Sequence, residues 1–89
     1  MKIVKSASAG TMESSDAYVE IEPASQGIQI QLDSVVKAQF GDAIESAARE
    51  VLKDNNVDSA CLRIVDRGAL ECVIRARVET AIARGKEGQ

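Results

Sequence analysis

The hydropathy of the chain changes its period at Ser34, and that switch confines the fold to a mixture of strands and helices. Before it, apolar side chains fall on alternate residues. Val19 and Ile21 alternate with Tyr18, Glu20 and Glu22, and Ile28, Ile30 and Leu32 alternate with Gln29, Gln31 and Asp33. Successive side chains of a strand point to opposite faces, so each stretch predicts a strand with one face in the core and one in water. After the switch, Val36, Phe40, Ile44, Ala47, Ala48, Val51 and Leu52 recur at helical spacing, with Lys37, Asp42, Glu45, Arg49 and Lys53 between them. That is the stripe of an amphipathic helix.

The other elements follow from the same two periods. Residues 6–13 are small and tolerate extended backbone, and the turn formers Ser14-Ser15-Asp16 separate them from the strand that starts at Ala17. Together they predict a β-hairpin with Ser14 at its tip. Pro23 and Gly27 bracket a second loop, which makes the first third of the chain a three-stranded meander. Asp33 or Ser34 is placed to cap the first helix, with Ser34 the plain N-cap, and Asn55-Asn56 to stop it. Gly41 inside that helix weakens it by about 1 kcal/mol relative to Ala, which suggests a close approach there. Residues 60–65 predict a fourth strand with Leu62 and Ile64 on one face, and Asp66-Arg67-Gly68 the turn out of it. A second helix runs from about Ala69 with Leu70, Val73, Ile74, Arg77, Val78, Ala81 and Ile82 in one stripe, Gly85 serving as its stop. Arg77 lies within that stripe, so its stem packs while its head reaches solvent. Residues 1–5 and 85–89 are expected to fray. The order β-β-β-α-β-α, in 89 residues, predicts one α+β domain. Its form is a small two-layer sandwich, a mostly antiparallel sheet with both helices on one face.

Composition removes most chemistry. The chain has no histidine, which excludes the Ser-His-Asp triad and His-ligated metal sites. The glycines form no phosphate-binding loop. A net charge of −3 lacks the basic face that nucleic acid requires. Met1-Lys2-Ile3-Val4-Lys5 is too short and too charged for a signal peptide. No apolar run approaches the roughly 20 residues of a membrane helix. The expected location is cytoplasmic, with Cys61 and Cys72 reduced and acting as small core residues. One Phe, one Tyr and no Trp leave an aliphatic core. Such a chain reads as a carrier or binding module rather than an enzyme.

Four stretches then carry a resemblance, in the order Ala9-Gly10-Thr11-Met12-Glu13-Ser14-Ser15-Asp16, Lys37-Ala38-Gln39-Phe40-Gly41, Asp66-Arg67-Gly68-Ala69-Leu70-Glu71-Cys72 and Ile74-Arg75-Ala76-Arg77-Val78-Glu79. The chain resembles the acyl carrier proteins (gamma chains) of citrate lyase over nearly its whole length. Met12 stands where Leu is more usual in that family. The family's modified serine follows the Glu of its Gly-Thr-hydrophobic-Glu-Ser motif and maps to Ser14, and the next position accepts Ser or Gly.

The resemblance implies that Ser14 is joined by a phosphodiester to 2'-(5''-phosphoribosyl)-3'-dephospho-coenzyme A, whose thiol carries acetyl and citryl groups. The implied partners are the alpha (transferase) and beta (lyase) subunits of citrate lyase, which release oxaloacetate and acetate from citrate, and the enzyme that attaches the group. Neither nucleic acid nor membrane is an expected partner. Ser14 is a tether point and not a nucleophile, and no residue of the chain is catalytic. Three other expectations stand beside this one. Glu13 and Asp16 keep the turn solvated or steer a basic partner. Arg75 or Arg77 could grip the phosphates of the cofactor. Asp33-Ser34-Val35 superficially resembles the Asp-Ser-Leu of helical carrier proteins, but the flanking strands favour Ser34 as a cap. The alternatives are the related carrier subunit of malonate decarboxylase and an interaction domain with no covalent group.

Overall fold

Alternation and helical spacing give the elements their places. The computed structural model describes residues 2–86. Strands β1 (Ala7–Gly10), β2 (Ala17–Glu22) and β3 (Ile28–Ser34) precede helix α1 (Lys37–Asp54), followed by β4 (Ala60–Asp66) and helix α2 (Glu71–Gly85). This is the β-β-β-α-β-α order expected from the periodicity. In β2, Ala17, Val19 and Ile21 are buried while Tyr18, Glu20 and Glu22 face the other way. That second face is solvated and polar, with Arg63 paired to Glu20 at 3.2 Å. Both helices therefore cover one face of the sheet.

The sheet order corrects the expected meander: it is β1-β2-β4-β3, so β4 lies between β2 and β3. β1 and β2 form the hairpin, β2 and β4 are antiparallel, and β3 runs parallel to β4. A parallel pair needs a long crossover, and α1 is that crossover. Residues 60–66 bury Ala60, Leu62, Ile64, Val65 and Asp66, and a strand this apolar gains most from having neighbours on both sides. At the edge, Ile28, Ile30 and Leu32 are only half-buried.

α1 ends as its sequence directs. Asn56 is left-handed at φ 58°, its N–H donates to the Lys53 carbonyl at 3.0 Å, and the Val57 N–H donates to the Leu52 carbonyl at 2.9 Å. This is a Schellman motif, and the apolar contact between its flanking residues is supplied by buried Val57 and Leu52. Burying each Ile or Leu of such a core contributes about 1.5–3 kcal/mol.

Several local expectations change. α1 starts at Lys37 with Val36 as N-cap and no side-chain cap bond. Ser34 is instead the last residue of β3, and its hydroxyl donates to Asp66 at 2.8 Å while accepting the Val36 N–H at 3.1 Å. Phe40 is 52% exposed and Leu70 72%, so neither joins the core that its stripe predicts. Cys72 is exposed on the first turn of α2 and Cys61 half-buried, both as free thiols, so Cys72 is not a core residue. A Cβ on Gly41 would meet only the Lys37 side chain within 3.4 Å, so no close backbone approach explains that glycine.

The described parts of the two termini pack against each other. Ile3 is 4% exposed, and the N–H groups of Val4 and Lys5 both donate to the Gly85 carbonyl, at 3.0 and 3.2 Å. Gly85 is the last helical residue rather than a left-handed stop. A Cβ there would press on Ile21 and Ile3, each at 3.2 Å, and on the Lys5 carbonyl at 3.3 Å. Of the residues expected to fray, Met1 and residues 87–89 lie outside the described residues.

Candidate functional site

Ser14 sits in the connection between β1 and β2, where the chain must reverse between antiparallel partners. Residues 11–15 are all exposed. The Asp16 N–H donates to the Glu13 carbonyl at 3.1 Å, and Ser15 has φ 67°. A left-handed third residue is the mark of a type II turn, with Ser14 at its second position. The Ser15 N–H then donates to the Arg67 carbonyl at 2.8 Å, and the Arg67 N–H to the Asp16 carbonyl at 2.9 Å. Two residues thus face one across the end of the β2–β4 ladder, the first of them left-handed, as in a G1 bulge. Glycine usually fills that place because it alone adopts the conformation without steric cost. Ser15 occupies it here, at a φ that favours glycine.

The turn is pinned by a side chain as well. Asp16 Oδ2 accepts the Thr11 hydroxyl at 2.7 Å, and Asp16 Oδ1 accepts the Ala17 N–H at 2.7 Å. Arg77, on α2, meets the same carboxylate through Nε at 3.1 Å and Nη2 at 3.0 Å, the bidentate geometry that planar guanidinium favours. The hydroxyl of Thr11, then Arg77, then the Ala17 N–H hold the Asp16 carboxyl at about 2, below its ordinary 3.8. Gly10 makes this closure possible: at φ 92° a Cβ would run into the Ala17 carbonyl and press on the Arg77 stem. Asp16 is therefore a structural lock, not a solvated steering charge. Arg77 is the residue that closes it, its stem packed as expected but its head held by Asp16 instead of solvent.

The next turn completes this end of the molecule. Asp66 is 1% exposed, and its Oδ1 accepts the N–H groups of Gly68 at 3.2 Å and Ala69 at 2.9 Å. With the Ser34 hydroxyl on Oδ2, one buried carboxylate ties β3, β4 and the entry to α2. An apolar groove of about 230 Å³ opens beside it between the helix starts, lined by Val36, Phe40, Ile44, Leu70 and Ile74 among others.

Placed against the sequence expectations, Ser14 is exposed in a hairpin connection and its hydroxyl has no protein partner among the described residues. Arg75 is engaged by Glu50 at 2.7 Å and Glu71 at 2.9 Å, contacts with Glu71 first that raise its already high pKa. With Arg77 held by Asp16, both guanidinium groups already have carboxylate partners. Sequence reasoning missed Thr11, Arg67 and the locking role of Asp16. Thr11 was legible only as part of an extended run and Asp16 only as a turn former, whereas Arg67 and Arg77 reach the turn through tertiary structure. Among the described residues no group of three or more Cys, Asp or Glu could hold a metal ion, and no helix is long and apolar enough to cross a membrane.

The chain matches known proteins over nearly its whole length. Residues 4–85 match the family described as malonate decarboxylase delta subunit (MdcD). The chain is 51% identical over 88 residues to citrate lyase acyl carrier protein 2 of Salmonella typhimurium, covering 98% of this chain and 91% of that one. It is 53% identical over 88 residues to the citrate lyase acyl carrier protein of Escherichia fergusonii, with the same 98% and 91% coverage. Clostridium perfringens has a protein of that name at 50% identity, 98% of this chain and 87% of that one being covered. Among solved structures, a chain of a Pseudomonas malonate decarboxylase hetero-tetramer in complex with malonate superposes with a TM-score of 0.68 at 26% identity, covering 94% of this chain and 87% of that one.

Proposed function

The chain belongs to the acyl carrier family of citrate lyase and malonate decarboxylase, and on that premise we propose that it is the acyl carrier subunit of a citrate lyase with Ser14 as its attachment residue. The observation that carries this reading is identity of about half over almost the whole chain to carriers of that name, joined to an exposed Ser14 with an unengaged hydroxyl. A phosphodiester to 2'-(5''-phosphoribosyl)-3'-dephospho-coenzyme A fits this place, because the ester needs an accessible hydroxyl and no neighbouring base once made. When bound, the group supplies the thiol on which acetyl and citryl thioesters travel.

Everything else in the mechanism belongs to the protein's own residues. The pinned turn holds Ser14 clear of the sheet, so the attached arm leaves the protein from a defined point. Asp16, Thr11 and Arg77 keep that point from swinging. Tethering makes delivery to the alpha and beta subunits intramolecular, at an effective concentration set by the length of the arm. The chain contributes no acid or base to cleavage of citrate into oxaloacetate and acetate.

A second reading, the carrier of a malonate decarboxylase, has the family match and the superposed structure in its favour. It is the weaker reading because the identity falls to 26% there.

Intact mass spectrometry of protein from a host with an active complex tests the assignment. The expected result is an adduct of the mass of the phosphoribosyl-dephospho-coenzyme A group that disappears in Ser14→Ala, with citrate lyase subunits co-purifying. Unmodified protein from such cells would remove the carrier reading, and malonate decarboxylase subunits in its place would decide for the second. Ser14→Ala itself should shift stability by no more than about 0.5 kcal/mol, as exposed substitutions do.

A further inference from the structure

A phosphodiester at Ser14 would place a permanent negative charge on a turn that already contains two carboxylates. Asp16 is neutralised by the bidentate contact of Arg77. Glu13 remains, exposed and adjacent. An anion added there meets repulsion unless a cation is near, and Arg67 is the candidate.

Arg67 lies across the bulge from Ser15 and Asp16, joined to both through its backbone at 2.8 and 2.9 Å. Residues paired across a ladder have Cα atoms about 5 Å apart, and Ser14 is the next residue along. The guanidinium of Arg67 has no acceptor among the described residues. The other arginines are all engaged: Arg49 with Glu45, Arg63 with Glu20, Arg75 with Glu50 and Glu71, Arg77 with Asp16, and Arg84 with the Ser8 carbonyl. Among the described residues, the one arginine with an uncommitted guanidinium thus has its backbone opposite the attachment turn, where the turn itself fixes it.

We propose that Arg67 is the phosphate-binding residue of the attachment site, pairing with the phosphodiester oxygens on Ser14. This rests on the reading of Ser14 as the modified residue. Arginine suits the task because its planar fork matches two phosphate oxygens at once and stays charged at any physiological pH. The pair would neutralise the first phosphate of the arm at its root and limit the directions in which the arm departs.

The test does not require the prosthetic group. The full chain is prepared with phosphoserine incorporated at residue 14, and the phosphate is titrated by phosphorus NMR in the parent, Arg67→Gln, Arg67→Lys and Lys53→Gln forms. The second ionisation of phosphoserine lies near 6, and a nearby cation lowers it. Loss of an exposed pair of this kind should raise that value by about half a unit in Arg67→Gln. Arg67→Lys should give a smaller rise, because the charge remains but the fork is lost. Lys53→Gln, at the other end of α1, should leave the value unchanged. A shift in Arg67→Gln no larger than in Lys53→Gln overturns the proposal. Failure here leaves the mass-spectrometric test of the carrier untouched, and an unmodified Ser14 in the native host would reject the carrier reading whatever the titration shows.

Discussion

The turn that carries Ser14 and the start of α1 are both exposed and both lie where the sheet gives out, yet they are built in opposite ways. Around Ser14 the backbone is held from three directions: by the turn bond to Glu13, by Arg67 across the bulge, and by the Thr11–Asp16–Arg77 lock. The start of α1 is held by the Val35 N–H on the Asp66 carbonyl at 3.2 Å and the Val36 N–H on the Ser34 hydroxyl at 3.1 Å, with no ion pair there among the described residues and no side-chain cap on the helix itself. Phe40 and Val35 project there at 52% and 66% exposure. Surface position alone therefore does not set local order; the number of satisfied backbone and carboxylate hydrogen bonds does. On the proposed reading, that order fixes the point from which the attached arm departs.

Asp66 joins the two regions, so replacing it gives the largest effect. In Asp66→Ala the Ser34 hydroxyl and the N–H groups of Gly68 and Ala69 lose their acceptor inside the protein. The expected loss is about 2–4 kcal/mol, read from the midpoint of urea unfolding. A loss under about 1 kcal/mol would mean that the two regions are not coupled through this carboxylate.

The lock itself is tested by pH. The Asp16 carboxyl is depressed from 3.8 to about 2 in the folded chain. Its contribution is therefore fully present above 3.8 and lost as pH falls through about 2. The carboxyl carbon of Asp16, followed by NMR, should titrate near 2 in the parent and at a visibly higher pH in Thr11→Ala. The Ser15 amide should lose protection from exchange over the same acidic range, while the Phe40 amide at the start of α1 keeps its own rate. An ordinary midpoint for Asp16 would show that the lock does not form in solution.

The smallest effects separate the two regions by their glycines. Ser15→Gly relieves a left-handed serine and should stabilise the fold by about 0.5–1 kcal/mol. Gly41→Ala should stabilise α1 by a similar or smaller amount, about 0.5 kcal/mol, since only the exposed Lys37 side chain must move. Thermal unfolding of both variants measures this. A destabilising Gly41→Ala would reveal a steric demand at the start of α1 that the structure does not contain.

Much of this was legible in the residues. Period-two alternation in 17–22 and 28–33 and helical spacing after Ser34 arise from neighbours one or two turns apart, and they set the order of the elements, the buried faces of β2 and the aliphatic core. The same local logic placed Ser14 in a turn between paired strands and Asn55-Asn56 at the stop of α1. It failed where the deciding contact came from far along the chain. Arg77 and Asp16 are 61 residues apart in sequence, and no local pattern marks them as partners. Ser34 reads as a cap until β4 brings Asp66 to its hydroxyl. Phe40 and Leu70 fit their helical stripes, but the folded chain leaves both exposed. The insertion of β4 between β2 and β3 likewise depends on which strand gains most from two neighbours, an energy that exists only once the chain has closed on itself. Sequence alone determined that a serine would stand exposed on a hairpin of an α+β domain. Tertiary structure decided what holds that turn in place, because those contacts join segments whose proximity the local periods do not encode.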